Sequence, residues 1–199
     1  AHFQYLLKLL RYKFLEPSRK TGVVVLLKGP EGAGKTLPIE NLLVQNIFGR
    51  DFSKSVNSMD SILQRFNGLM LNQVFVLMNE ANSEAGFHIP FDKLKSVITD
   101  LTMIAEFKGK EAITVLNMID LWITTNNLRS VKLGRSDRRY FCLDVSSRYV
   151  GNTSYMAKLD QYTRDPVVAQ LFYSYICDLE LDEDIHCIPM TPLKQQMLE

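Results

Sequence analysis

Residues 29–36 read Gly-Pro-Glu-Gly-Ala-Gly-Lys-Thr, which has the residue types and spacing of a phosphate-binding loop. Its glycines let backbone N–H groups turn inward around a phosphate without Cβ clashes. Lys35 would supply a compact positive charge for the β- and γ-phosphates, and the Thr36 hydroxyl can ligate Mg²⁺. An apolar run before the loop predicts a buried strand, and residues 37–48 predict a helix whose positive end faces the anion. The pattern predicts a site for ATP and Mg²⁺, formed by Gly29, Pro30, Glu31, Gly32, Ala33, Gly34, Lys35 and Thr36.

A second apolar run, Val74–Met78, ends in the polar pair Asn79 and Glu80. Hydrolysis of ATP needs a carboxylate that orients and activates water, and Glu80 is the predicted general base. Asn79 stands where an acidic residue commonly holds the water shell of Mg²⁺. Either the side-chain oxygen of Asn79 takes this metal-binding role, or Glu84 or an outer-shell group substitutes for it.

A later strand candidate, Leu121–Thr125, is followed by Asn126 and Asn127. In ring ATPases an asparagine at this place contacts the γ-phosphate and the attacking water, and Asn126 is the first candidate here, with Asn127 the second. Farther along, Arg138 and Arg139 directly precede another apolar strand. A basic pair in this place is either a solvated face or an arginine finger that reaches the ATP of a neighbouring subunit.

The composition limits the partners that this chain can have. Its 199 residues are 46% hydrophobic with a formal net charge of +1, so a nucleic acid would be held by local patches and not by a global basic field. No stretch reaches the roughly 18 apolar residues of a membrane span, which predicts no membrane association. The chain is expected to be a piece of a longer protein.

Short apolar runs alternate with helical patterns along the chain, which predicts an α/β fold. The expected fold is a three-layer P-loop NTPase (AAA+-like) sandwich with a mostly parallel central sheet. We divide the chain into an N-terminal helix and linker (1–20), an ATPase core (21–150) and a C-terminal helical segment (151–199). The predicted strands are Val23–Leu27, Val74–Met78, Ala112–Leu116, Leu121–Thr125 and Tyr140–Val145, and the predicted helices between them are 37–48, 58–66 and 91–101.

In this order the motifs resemble those of a superfamily 3 helicase, most closely the viral and mobile-element primase–helicase branch that includes the poxvirus-type enzymes. The resemblance rests on the loop at 29–36, Asn79-Glu80, the segment 95–100, Thr124-Thr125-Asn126 and the finger-like run 137–141. It implies a homo-oligomer, a hexameric ring of AAA+-type domains with ATP between subunits, that moves 3′ to 5′ along single-stranded or forked DNA. It also implies a primase domain upstream and an intracellular protein at sites of DNA replication.

The same resemblance implies a hairpin that projects into the central channel of the ring. The corresponding interval here contains Lys108-Gly109-Lys110, which predicts a turn, and Phe107 beside it could stack on a base. Phe107, Lys108 and Lys110 are therefore the predicted DNA-binding residues. The alternative is an ordinary surface hairpin with exposed lysines.

Two other functions remain open from the sequence. A P-loop nucleotide or small-molecule kinase would need a lid and an acceptor pocket within one subunit. A non-unwinding, ATP-dependent assembly or packaging factor would hydrolyse ATP slowly and without stimulation by DNA, and Asn79 is the best argument for it.

Overall fold

The computed structural model of the chain describes residues 2–58, 60–63, 67–79, 91–126, 133, 137–182 and 184–198. Its helices are α1 (His2–Leu15), α2 (Ile39–Ile47), α3 (Asp60–Leu63), α4 (Phe91–Thr99), α5 (Thr153–Arg164), α6 (Pro166–Asp178) and α7 (Pro192–Leu198). Its strands are β1 (Val24–Lys28), β2 (Ser53–Val56), β3 (Phe75–Asn79), β4 (Thr102–Ala105), β5 (Ile113–Leu116), β6 (Asp120–Thr125) and β7 (Tyr140–Asp144). A short 3₁₀ turn covers Gly68–Met70.

Among the described residues, the central sheet has five strands in the order β2-β3-β6-β1-β7, and every pairing between them is parallel. Strands β4 and β5 form a separate antiparallel hairpin. This architecture confirms the predicted α/β fold with its parallel central sheet. Strand β6 lies between β1 and β3, so the ends of these three strands meet at one edge of the sheet.

The strands of the central sheet other than β2 are apolar on both faces, because helices cover both faces of the sheet. In β1, Val25 and Leu27 pack on the side of α1, α2 and α6, whereas Val24 and Leu26 pack on the side of α4 and α7. This alternation follows from the two-residue period of a strand. Within the described part of the chain, no helix is long and apolar enough to cross a membrane.

A buried ion pair joins the first helix to the sheet. Lys13 of α1 lies 3.6 Å from the carboxylate of Asp120 at the start of β6, and both side chains are almost fully buried. The Lys13 ammonium also donates to the carbonyl of Met118 at 2.7 Å, and the backbone N–H of Thr21 donates to Asp120 at 3.0 Å. These bonds compensate part of the cost of burying the charges.

The sequence prediction missed two strands. Strand β2 is the outer strand next to β3, and its sequence is Ser-Lys-Ser-Val. It has no apolar run that would predict a strand, so its pairing with β3 is what makes it one. Strand β4 has only four residues and exists as the partner of β5. Of the helix predicted at 58–66, the described residues show α3 alone.

Helix α6 begins as its sequence predicts but buries a narrower face. The Asp165 side chain accepts a hydrogen bond from Val167 N at 2.8 Å, with Pro166 as the first helical residue. The helical spacing of its apolar residues predicts a single buried face, and this prediction is wrong in part; the residues are Val167, Val168, Leu171, Phe172, Tyr175, Ile176 and Leu179. Phe172, Ile176 and Leu179 pack on the core, while Val167, Leu171 and Tyr175 are exposed, because the helix contacts the core along one stripe only.

Candidate nucleotide site

The loop 29–36 lies at the carboxyl edge of the sheet, directly after β1. Gly29 N donates to Thr125 O of β6 at 3.1 Å, and Val145 N donates to Lys28 O at 2.7 Å. A Cβ on Gly29 would lie 3.0 Å from the Val145 Cβ and 3.1 Å from the Val145 carbonyl oxygen, so a larger residue would push the chain after β7 away. Farther along the loop, Gly34 adopts a φ of +78°, in the left-handed region that favours glycine. The glycines therefore set the path of the loop.

The helix after the loop is held by the C-terminal helical segment. Pro38 precedes α2 with helical dihedral angles (φ −67°, ψ −31°), so it fits where no N–H is required. At the other end, Phe48 N donates to Leu43 O at 2.9 Å, a five-residue spacing that gives α2 a wider turn than an α-helix. Asn41 inside α2 donates to Thr163 Oγ1 of α5 at 2.9 Å. The helix is thus anchored on α5 as well as on the sheet.

The loop lysine contacts the amide that follows β6. The Lys35 ammonium donates to Gly29 O at 3.0 Å, to Pro30 O at 3.1 Å and to the Oδ1 atom of Asn126. Burial lowers the pKa of Lys35, and the nearby Glu31 carboxylate partly opposes this shift. Two predicted site residues, Lys35 in the loop after β1 and Asn126 directly after β6, are therefore in direct contact.

A chain of three side chains crosses the same edge of the sheet. Asn79 at the end of β3 is in register with Thr124 of β6. Thr36 Oγ1 donates to Thr124 Oγ1 at 3.3 Å, and Thr124 Oγ1 donates to Asn79 Oδ1 at 3.1 Å. Hydroxyl and amide oxygens are hard ligands of the kind that Mg²⁺ prefers, so Thr36 and Asn79 fit a magnesium ion. The sequence predicted a metal-binding role for both residues, but it gave Thr124 no role of its own and included it only in the run Thr124-Thr125-Asn126.

Several predicted residues lie outside the described part of the chain. These are Glu80, the alternative base Glu84 and the second candidate amide Asn127. Asn79, which is described, ends β3 next to β6.

The arginine pair lies at the amino edge of the sheet, where the parallel strands begin, whereas the loop lies where they end. Val24 N, at the start of β1, donates to Arg139 O at 2.9 Å. The Arg139 guanidinium lies 3.5 Å from the Asp137 carboxylate, while Arg138 is exposed. The five residues of β1 separate this edge from Gly29, a distance of about 16 Å at the usual rise of a strand. Within one chain, the arginine pair therefore lies far from the loop.

The predicted hairpin is formed by β4 and β5. Its turn is closed by a bond of 3.2 Å from Lys110 N to Phe107 O, and Gly109 has a φ of +76°. Lys108 and Lys110 are exposed. The Phe107 ring lies on Gly68, where an added Cβ would come within 2.4 Å of a ring carbon. Phe107 thus anchors the turn in this structure.

A second contact fixes the base of the hairpin. The side-chain nitrogen of Asn67 donates to Ile104 O at 2.8 Å, and its side-chain oxygen accepts from Glu106 N at 3.0 Å. On the Phe107 ring, the Lys110 ammonium lies 5.8 Å from the ring centroid. The two exposed lysines are therefore carried on a supported turn.

The comparisons with known proteins agree with this fold. The apo structure of the NrS-1 C-terminal region has a TM-score of 0.79 at 20% sequence identity and covers 98% of this chain and 46% of that one. The structure of JCV helicase has a TM-score of 0.50 at 14% identity and covers 87% of this chain and 54% of the helicase chain. The chain therefore shares its α/β fold with a viral helicase structure.

Residues 27–139 match the model of DUF5906, described as a family of unknown function, and the chain belongs to this family. A curated DNA primase-polymerase of Nitratiruptor phage NrS-1 is 24% identical over 190 residues, which are 90% of this chain and 25% of that protein. The chain thus spans a quarter of this curated relative and less than half of the NrS-1 region whose structure it resembles.

Proposed function

We propose that this chain is the ATP-driven motor of a DNA helicase that acts in viral or mobile-element DNA replication. The observation that carries the proposal is the convergence of the loop, Asn79 and Asn126 at one edge of the sheet, with Lys35 bonded to Asn126. The relative in phage NrS-1, a DNA primase-polymerase, supports a role in DNA replication and a primase domain upstream in the full-length protein.

In the proposed mechanism the loop binds the triphosphate through its backbone N–H groups and the Lys35 ammonium. Thr36 and Asn79 would hold Mg²⁺, which neutralises charge on the phosphate oxygens. Glu80 would accept a proton from the attacking water, and Asn126 would orient that water against the γ-phosphate. When phosphates attract Lys35, its bonds to the Gly29 and Pro30 carbonyls are exchanged for bonds to the nucleotide.

The position of the arginine pair favours an assembled motor over a kinase. Arg138 is exposed at the edge opposite the loop, so a phosphate contact by Arg138 requires a second subunit. In a hexameric ring, this edge of one subunit would lie against the loop of the next subunit. A kinase would complete its site within a single subunit.

The proposal is tested with the full-length protein that contains this chain. ATP hydrolysis should rise with single-stranded DNA, and forked DNA should be unwound. Lys35→Ala should lose nucleotide binding or turnover, whereas Glu80→Gln should bind ATP and fail to hydrolyse it, because an amide cannot accept the proton.

Other results would redirect the proposal. Concentration-independent hydrolysis by a monomer would favour the kinase. Slow hydrolysis that DNA does not stimulate would favour the assembly factor. Electron-microscopy class averages with an ATP analogue and DNA should show a six-fold ring, and wild-type protein that binds no nucleotide would refute the proposal.

A further inference from the structure

Thr124 occupies the centre of the candidate site, although the sequence pattern predicts no chemical role for this residue. Its side chain lies on β6, between the loop residue Thr36 and the β3 residue Asn79, and Thr124 is only 3% exposed. A hydroxyl that is buried this deeply is retained only where its hydrogen bonds are satisfied. The Thr124 hydroxyl makes two hydrogen bonds: it accepts one from Thr36 Oγ1 at 3.3 Å and donates one to Asn79 Oδ1 at 3.1 Å.

The number of protons gives this chain of bonds a direction. Each hydroxyl has one proton, so a proton that Thr36 donates to Thr124 cannot also point into the nucleotide cleft. The lone pairs of the Thr36 oxygen are then free to bind a cation. Thr124 has one proton of its own, and it goes to Asn79 Oδ1. This bond sets the orientation of the Asn79 amide, whose oxygen keeps a second lone pair.

We propose that Thr124 is a positioning residue for the magnesium-binding groups of the site. It takes the proton of Thr36 and holds the amide of Asn79, so that oxygen lone pairs on both residues face the same cation. The inference rests on the proposed function and deepens it. It also gives a physical role to Asn79, since a neutral amide needs an external donor to hold its oxygen in place.

The test measures how strongly Mg²⁺ enhances nucleotide binding, without any hydrolysis. In the full-length protein, the affinity for a non-hydrolysable ATP analogue is measured with Mg²⁺ and with EDTA. In Thr124→Val the enhancement by Mg²⁺ should fall by about 5- to 30-fold, the effect of one or two lost hydrogen bonds. Binding without metal should change less than about twofold, because it depends on the loop and Lys35. Thr124→Ser should restore the enhancement.

A second measurement follows the metal itself. Electron paramagnetic resonance of Mn²⁺ in the nucleotide complex should show weaker Mn²⁺ binding in Thr124→Val than in wild type. If Thr124→Val does not fold, Thr124→Ala provides the same comparison, since it also removes the hydroxyl.

A matched control separates a positioning role from a general structural one. Thr191 is also buried, donates to Cys142 O and accepts from Lys194 N, in the segment that leads into α7. Thr191→Val should lower stability and leave the enhancement by Mg²⁺ unchanged. An unchanged enhancement in Thr124→Val, or an equal loss in Thr191→Val, would refute the role of Thr124. Failure of wild type to bind the nucleotide would instead refute the proposed function.

Discussion

Lys35 and Asn126 are hydrogen-bonded to each other beyond the carboxyl ends of two neighbouring strands, although 90 residues of chain separate them. Lys35 is in the loop after β1, and Asn126 follows β6, which pairs with β1 in parallel register. Parallel neighbours end at the same edge of a sheet, and this is why the two side chains meet. The hydrogen bond therefore holds the amide of Asn126 next to the loop before any nucleotide binds.

The first prediction concerns this amide. Asn126→Ala should lower kcat for ATP hydrolysis by about 10²- to 10³-fold, the usual loss for a donor that stabilises the transition state. Nucleotide affinity should change little, because the loop and Lys35 remain. Single-turnover hydrolysis and equilibrium binding of ATP separate the two effects. A variant that loses affinity and turnover equally would show that Asn126 acts by holding Lys35 in place.

The second prediction concerns the arginine at the opposite edge of the sheet. Arg138→Ala should lower hydrolysis by up to about 10³-fold, as the removal of an arginine finger does. When Arg138→Ala subunits are mixed with Lys35→Ala subunits, activity should recover at some mixed interfaces, since each defect falls on a different ATP site. Arg164→Ala, on the exposed surface of α5, is the control and should keep wild-type activity. No recovery in mixtures that co-assemble would move the role to Arg139.

The third prediction concerns the hairpin. Replacement of Lys108 and Lys110 by alanine should weaken binding of single-stranded DNA of every sequence, and each lost phosphate contact should lower the salt slope by about 0.7. Hydrolysis without DNA should persist, because both lysines lie outside the nucleotide site. Salt-dependent binding titrations measure the slope. Arg50→Ala, another exposed cation, should leave it unchanged.

The anchor of the hairpin gives a second variant for the same test. Gly68→Ala would place a methyl group 2.4 Å from the Phe107 ring and must displace it. Stimulation of hydrolysis by DNA should fall in Gly68→Ala, while nucleotide affinity stays the same. Wild-type DNA binding and unwinding in both hairpin variants would mean that the hairpin is ordinary surface.

The fourth prediction concerns pH. Lys20 donates to Val97 O, and its burial lowers the pKa of Lys20 to about 8 from an ordinary value of 10.5. The unfolded chain therefore binds this proton more tightly, and the contribution of Lys20 to stability should rise as pH increases from 8 to 10.5. As pH falls from 10.5 to 8, the same contribution to stability should decrease.

The measurement is the free energy of unfolding of wild type minus that of Lys20→Gln, from denaturant titrations at several pH values. This difference should grow by up to about 1.4 kcal/mol per pH unit inside the window. Burial raises the pKa of Cys142 to about 12, which lowers stability above pH 9, but this effect is common to both proteins and cancels. A difference that does not change with pH would place Lys20 in an ordinary solvated environment.

The sequence alone determined the elements whose signals are local. The loop at 29–36 is recognisable because its backbone path requires glycines at fixed positions. The strands of the central sheet other than β2 are recognisable because burial on both faces demands continuous apolar runs. The start of α6 is recognisable because Asp165 and Pro166 cap a helix by local geometry.

Only the tertiary structure decided which of these elements are neighbours. An apolar run shows that a strand is buried but not which strands pair with it, so the position of β6 between β1 and β3 could not be read from the sequence. That position puts Thr124 beside Asn79 and Asn126 beside Lys35. Likewise, α6 carries two apolar stripes, and packing against the core selected one. Strand order, register and the choice of a packed face depend on contacts between distant parts of the chain, and no local pattern contains them.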